Sequence, residues 1–420
     1  MRSWLLLVLV PVPPTTAVAP GAPVDRNAER VRPGPLERDT QRITFRRFGL
    51  QLLAEALARD PADSNRVLSP ASAGLALSLV MAGARGSTAS AIGAVLGTGG
   101  LDAAGIARRN RNLLDSVRNR EDVTLEIATA LWVDTSSRVR TAFRKAAAEY
   151  YRAAVTSIPL ASPEVVVALN RWSDSNTHGR IPAIRDAPFD PFTRLAVTNA
   201  VYFKGKWAFP FQEARTGDRD FTLASGGRIR TRAMDQLSYY AYRRETGYQV
   251  LRIPYREDRA AMYVLLPDSG ASVDSVVRRL AQGDGLPSLG WNSSRRVHLV
   301  LPRFRVEQDL DLKPGLAALG MGVAFNCEAA DFSGLLEDRN GRPSLATCVD
   351  EADQKVMIAV DEEGAVAAAV TTLSVQLRGY TPPPEPIQFV VDRPFLFVLR
   401  DERTGADLFI GRIARPEVAR

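Results

Sequence analysis

The chain has 420 residues, 45% of them apolar, enough for a large core and long enough for two or three ordinary domains. Its net charge is +7, yet only five of the 54 basic residues are Lys, and the Arg residues are scattered along the chain. No basic stretch is interleaved with aromatics and no nucleic-acid module is recognisable, so nucleic acid is not expected as a partner.

Residues 1–10, MRSWLLLVLV, join a basic start to a short apolar run, the shape of a secretory signal. The run is too short to span a bilayer, and no membrane partner is expected. A small-x-small site at Ala17-Val18-Ala19 is followed by Pro20, a poor neighbour for cleavage. Residues 1–24 are read as a signal peptide or leader and 25–40 as a Pro-rich disordered segment. Secretion to the outside or to a periplasm follows; the alternatives are an untranslocated leader or a misassigned start codon.

The first periodic segment is 41–60, where Phe45, Phe48, Leu52 and Leu57 recur at helical spacing. A second helix opens at Ser69-Pro70, a capping residue followed by Pro in the first turn, and ends near Gly83. Its small apolar face (Ala71, Ala73, Leu75, Ala76, Leu79) suits burial beneath another element. Arg108, Arg109, Arg111, Arg118 and Arg120 form the densest basic cluster and read as a solvated helix face, so a glycosaminoglycan or other polyanion is not expected to bind. Segments 125–133 and 195–203 read as strands, 142–153 and 163–176 as helices. From Val250 the pattern changes to short strands: VLRIPY, AMYVLLP, VHLVLPRFRV, VMIAV, IQFVV, FLFVLR and DLFIGRI. Helices come mostly first and strands mostly last, which predicts an α+β fold with large mixed or antiparallel sheets.

Little suggests an enzyme. The two histidines are His178, at a helix end before Gly179, and His298, at the start of VHLVLP. GxSxG, P-loop, HExxH and CxxC motifs are all missing. The two His and two Cys match no zinc spacing, so neither a metal nor a cofactor is expected. Cys327 and Cys348 either stay free or, in an exported chain, close a loop of about 20 residues.

The stretch EEGAVAAAVTTLSVQLRG (362–379) is ambiguous. AVAAAV suits a helix and VTTLSV a strand, but TPPPEP follows, which neither a helix nor a central strand can contain. As a strand its faces alternate: Ala365, Ala367, Ala369, Thr371, Leu373 and Val375 lie on one side, Val366, Ala368, Val370, Thr372, Ser374 and Gln376 on the other. The first set carries no charge and nothing bulky at its leading end, and so could be buried.

Several stretches, in order, resemble the serpin family: 64–88 (SNRVLSPASAGLALSLVMAGARGST), 169–181 (LNRWSDSNTHGRI), 197–211 (VTNAVYFKGKWAFPF) and 301–321 (LPRFRVEQDLDLKPGLAALGM). ADFSGL (330–335), VDEEGAVAAAV (360–370) and DRPFLFVLRDERTGADLFIGRI (392–413) continue the series. The resemblance implies a single monomeric domain over 41–416, with three β-sheets, about nine helices and an exposed reactive-centre loop at about 364–386. In that family the loop is cut by a target protease, and its first half inserts into the largest sheet while the protease remains covalently held as an acyl complex. The alternatives are a non-inhibitory binding or carrier protein cut as a substrate, and an inhibitor of an Arg-specific cysteine protease.

Carried over residue by residue, the resemblance implies a hinge at Glu362, Glu363, Gly364, Ala365, Val366, Ala367, Ala368 and Ala369. Sixteen residues after Glu362 the reactive bond falls at Arg378–Gly379, suiting a trypsin-like protease. Counting back from Phe389 points instead near Tyr380, and TPPPEP is read as a lengthened segment that accounts for the offset. The hinge departs from the family at Ala365, usually Thr or Ser, and at Val366, usually Glu. A polar cluster controlling sheet opening is implied at Ser69, Ser72 and Asn199, with Gln354 where the family has His. Trp207, Arg303 and Glu362 are implied at the top of the sheet, the last two as an ion pair.

Overall fold

The computed structural model describes residues 45–99, 101–116, 123–283, 285–286, 293–338, 340–342, 347–364 and 385–416. The proposed leader, the hinge from Ala365 to Ala369 and the bond Arg378–Gly379 lie outside the described residues.

Helix α1 (Arg46–Leu57) buries Phe48, Leu52 and Leu57, the periodic residues of its sequence. β1 (Arg66–Leu68) then leads to Ser69, whose side chain accepts the Ser72 N–H and so caps α2 (Pro70–Gly83). The chain continues through α3 (Gly86–Leu96), α4 (Ala103–Ser116), β2 (Val123–Val133), β3 (Arg138–Val139), α5 (Thr141–Tyr151), β4 (Ala154–Ser157) and α6 (Pro163–Asn176). The later strands are β5 (Leu195–Gly205), β6 (Gly217–Thr222), β7 (Arg228–Glu245), β8 (Tyr248–Pro254) and β9 (Ala260–Pro267). After α7 (Val273–Gln282) come β10 (Ser294–Pro302), β11 (Phe304–Asp311), α8 (Lys313–Leu316), β12 (Leu336–Glu337) and β13 (Glu351–Val360). β14 (Ile387–Val390), β15 (Phe395–Asp401) and β16 (Asp407–Ile413) close the fold. Apolar almost all round, α2 is buried between the strands β2, β5 and β16 and the helices α1, α3, α4 and α5.

The class is α+β, with eight α-helices among the described residues and three sheets. One sheet has nine strands, ordered β1-β16-β15-β9-β8-β7-β10-β14 with β6 added on β7. A two-stranded ribbon joins β12 to β3. The sheet that positions the candidate site has five strands, ordered β11-β13-β5-β2-β4. Its middle pair is unusual. β13 and β5 run parallel, in register from Glu351–Ala196 to Met357–Tyr202, while β13 continues to Val360 and β5 to Gly205. Each is flanked on its other side by an antiparallel partner, β11 and β2.

Some boundaries differ from the sequence reading. VHLVLPRFRV is two strands in two sheets: β10 ends at Pro302 and β11 begins at Phe304. The Arg303 N–H still donates to the Arg232 carbonyl at 2.8 Å, so the chain changes sheet immediately after Pro302. His298 lies within β10, paired with Gln388 and Asp235, rather than at a strand start. The sequence reading also missed α3, α7 and the 18-residue β7. α3 is built from Gly, Ser, Thr and Ala with little apolar period, and its end is set by Gly97 at φ 65°.

Cys327 and Cys348 form a disulfide with Cα atoms 4.5 Å apart and a sequence separation of 21. It ties the turn after α8 to the approach to β13. Replacing both by Ser is expected to lower unfolding stability by about 3 kcal/mol, read from urea midpoints. An unchanged midpoint would show that the bond contributes nothing.

Candidate functional site

The site is the seam between β5 and β13 together with the chain that leaves β13 at its upper end. Val360 ends the strand, and Glu362, only 3% exposed, turns inward. The Arg303 Nε donates to Glu362 Oε1 at 2.7 Å, a second guanidinium nitrogen and the Thr216 hydroxyl donate to the same oxygen, and the pair is closed. Burial by itself raises the Glu362 carboxyl, but the Thr216 and Arg303 bonds outweigh it and hold it below the ordinary glutamate range. Arg303 reaches this place because it is the hinge residue between β10 and β11.

Trp207 forms the wall opposite. It is fully buried, stacked on Tyr255 at 4.2 Å between ring centroids, with Phe211 edge-on at 6.3 Å. The emerging chain is bonded to this wall. The Trp207 N–H donates to the Glu363 carbonyl (3.1 Å), its indole N–H to the Asp361 carbonyl (2.9 Å), and the Phe211 N–H to the Glu362 carbonyl (2.9 Å). Gly364 follows at φ 66°, and a Cβ there would stand 2.5 Å from the Trp207 nitrogen and 2.6 Å from the Gly205 oxygen. No other residue type fits without displacing backbone.

Beneath the seam, a polar cluster joins the sheet to α2. Asn199 on β5 and Gln354 on β13 are register partners. Gln354 accepts the Ser69 N–H at 2.8 Å and donates to the Ser69 carbonyl (3.1 Å) and to Asn199 Oδ1 (3.2 Å). The Ser72 hydroxyl donates to Asn199 Oδ1 as well, and the Asn199 amide donates to Thr129 Oγ1 at 3.0 Å. Ser69 Oγ donates to the Leu408 carbonyl, tying the cluster to the other sheet. All four side chains are buried and partnered. Gln serves here because it donates and accepts at once.

A family model described as Serpin (serine protease inhibitor) matches residues 44–416. The chain is a serpin. Among its relatives, Serpin-Z7 of Hordeum vulgare is 32% identical over 392 residues, covering 89% of this chain and 96% of that protein. Neuroserpin of Homo sapiens is 32% identical over 370 residues, covering 84% and 87%. Among solved structures, the thermophilic serpin Tengpin in its native state superposes with a TM-score of 0.79 at 26% identity, covering 92% of this chain and 96% of that one. Arabidopsis AtSerpin1, in its native stressed conformation, also gives 0.79 at 26% identity, covering 90% and 98%. As a serpin it belongs to a family of protease inhibitors that form complexes with target proteases, and it is not a catalytic enzyme.

In this serpin the outer face of the seam carries charge. Glu351 and Asp353 face outward from β13, and Arg185, in the chain between α6 and β5, donates to Glu351 at 2.6 and 3.2 Å and stands 3.6 Å from Asp353. Burial, the neighbouring Glu351 and Asp311 across the ladder push Asp353 up to about 7, against the pull of Arg185. Arg185, Thr216, Tyr255 and Thr129 carried no local sequence signal, since each acquires its role through chain distant in sequence.

Two predictions follow from these charges. Glu362→Lys leaves two cations in a buried site, expected to cost about 3–5 kcal/mol, to free residues 361–364 from Trp207 and to yield polymers on size-exclusion chromatography. A monomeric variant of unchanged stability would refute this. The second concerns pH. Because the folded-state pKa of Asp353 is raised, its ionisation removes stability as pH rises from about 4 to 7. Its side chain keeps 39% of its surface in water, so the effect is screened to about 1 kcal/mol. Asp353→Asn is expected to melt at higher temperature than the parent at pH 8 and to match it near pH 3.5; equal melting at both would rule the effect out.

Proposed function

We propose that this serpin is a single-use inhibitor of a trypsin-like serine protease, and that its reactive bond is Arg378–Gly379. The protease serine attacks the Arg378 carbonyl, the Gly379 amine leaves, and an ester joins the enzyme to Arg378. The freed segment after Gly364 then enters the seam as a strand antiparallel to both β5 and β13.

The observation that carries this reading is the bond from the Trp207 N–H to the Glu363 carbonyl, which supplies the first rung of such a strand. Continuing that register sets Ala365 against Gly205, Thr371 against Asn199 and Val375 against Leu195. Odd-numbered residues of β5 face inward, so Ala365, Ala367, Ala369, Thr371, Leu373 and Val375 would do the same. Thr371, the one polar residue of the set, would meet Asn199 and Gln354, where donors and acceptors are concentrated. The larger apolar members contribute about 1.5–3 kcal/mol each on burial, and the new strand gains ladder bonds on two sides. Ala365 and Ala367, small and uncharged, favour entry at the narrow upper end.

Action outside the cytosol is part of the proposal. The disulfide suits an oxidising compartment and agrees with the signal-like start of the chain.

Mixing the protein with trypsin and running a denaturing gel tests the proposal. The expected result is a band at the summed mass less a C-terminal peptide that begins at Gly379. Complete cleavage without that band would mean a substrate rather than an inhibitor, and a peptide beginning elsewhere would displace Arg378.

A further inference from the structure

The chain between α6 and β5, residues 177–194, lies across the outer face of the seam. Ile181 is fully buried there, in one apolar cluster with Ala200 of β5 and Met357 of β13. Further along, Asn170 of α6 accepts the Ile184 and Arg185 N–H groups (2.9 and 3.1 Å) and donates to the Arg185 carbonyl (2.8 Å). That clasp presents Arg185 with its guanidinium over the Phe189 ring, 3.8 Å from the centroid, and bidentate on Glu351. The segment continues covalently into β5 and packs with α6 against β2 and β5, whereas Glu351 and Asp353 belong to β13. The ion pair therefore crosses the line along which β5 and β13 part. Beside Ile184 lies a hollow of about 270 Å³, lined by Thr198, Asn199, Asp311, Asp353 and Gln354 among others.

A strand admitted between β5 and β13 moves them apart by one strand spacing, roughly 4.8 Å. Arg185 cannot follow Glu351 over that distance while Asn170 holds its backbone. In the register above, Thr372 and Ser374 would arrive level with Asp353 and Glu351, beneath the guanidinium. We propose that residues 177–194 form a strap fastened across the seam by Arg185 on Glu351 and Asp353, and that release of this fastening limits how fast a strand enters. The proposal rests on the insertion reading and assigns Arg185 a part in its timing.

The test uses the intact protein and an acetylated synthetic peptide with the sequence of residues 365–376, AVAAAVTTLSVQ. Uptake is followed by native gel and by the rise in melting temperature, at a fixed interval below each variant's own melting point, so that general destabilisation does not count. Arg185→Met keeps the stem over Phe189 and removes the charge; it is expected to take up peptide about fivefold faster than the parent. Arg185→Lys, lacking the fork, is expected to fall between the two. Glu351→Gln should accelerate uptake, and the double variant Arg185→Met/Glu351→Gln should be no faster than Arg185→Met. Uptake by the parent with no acceleration in Arg185→Met overturns the strap alone. If neither protein takes up peptide at any temperature below melting, the insertion reading falls and the strap with it.

Discussion

The parallel pairing of β5 with β13 is the constraint on which the molecule turns. Two parallel strands cannot be joined by a tight turn, and here the chain between them passes through the nine-stranded sheet before it returns. Their contact is an ordinary ladder, slanted and somewhat weaker than an antiparallel one. It also leaves the sheet in a state with an alternative. An antiparallel newcomer between them would be bonded on both edges, and on the proposed insertion β13 leads into the residues that would begin such a strand. The elements around the seam either hold it shut or mark its entrance.

What holds it shut is polar and fully partnered. Ser69, Ser72, Asn199 and Gln354 exchange hydrogen bonds beneath the sheet, and Leu408 accepts one from the second sheet. Such a network is rigid while complete and costly when half-satisfied. A strand arriving with Thr371 at that level brings a hydroxyl able to replace part of what it separates. An apolar residue there would offer nothing in place of the Gln354–Asn199 bond that the newcomer breaks. On the proposed insertion, the incoming sequence would replace part of what closes the seam.

The elements that the sequence made legible were those with a local signature. The Ser69-Pro70 cap and its buried helix, the strands at 125–133 and 195–203, and the helix at 163–176 lie where spacing and capping put them. α3 was invisible because small residues serve its close packing and erase its period. The break at Pro302–Phe304 was hidden because both halves are equally strand-like, and only the tertiary arrangement assigns them to different sheets. The same holds at the site. Arg303, Glu362, Trp207, Asn199 and Gln354 came from a resemblance rather than from spacing. Thr216, Tyr255 and Arg185 needed coordinates, since each meets its partner across more than 45 residues of chain.

The break at Pro302 has a mechanical consequence. β10, which ends there, is the strand on which β14 pairs, and β14 is the first described strand after Gly364. The next residue, Arg303, grips Glu362 just before the chain departs at Gly364. Glu362 and β14 are therefore both held at one place, a dipeptide between two sheets. A shift of Pro302-Arg303 would move both together, coupling the end of β13 to the edge of the nine-stranded sheet.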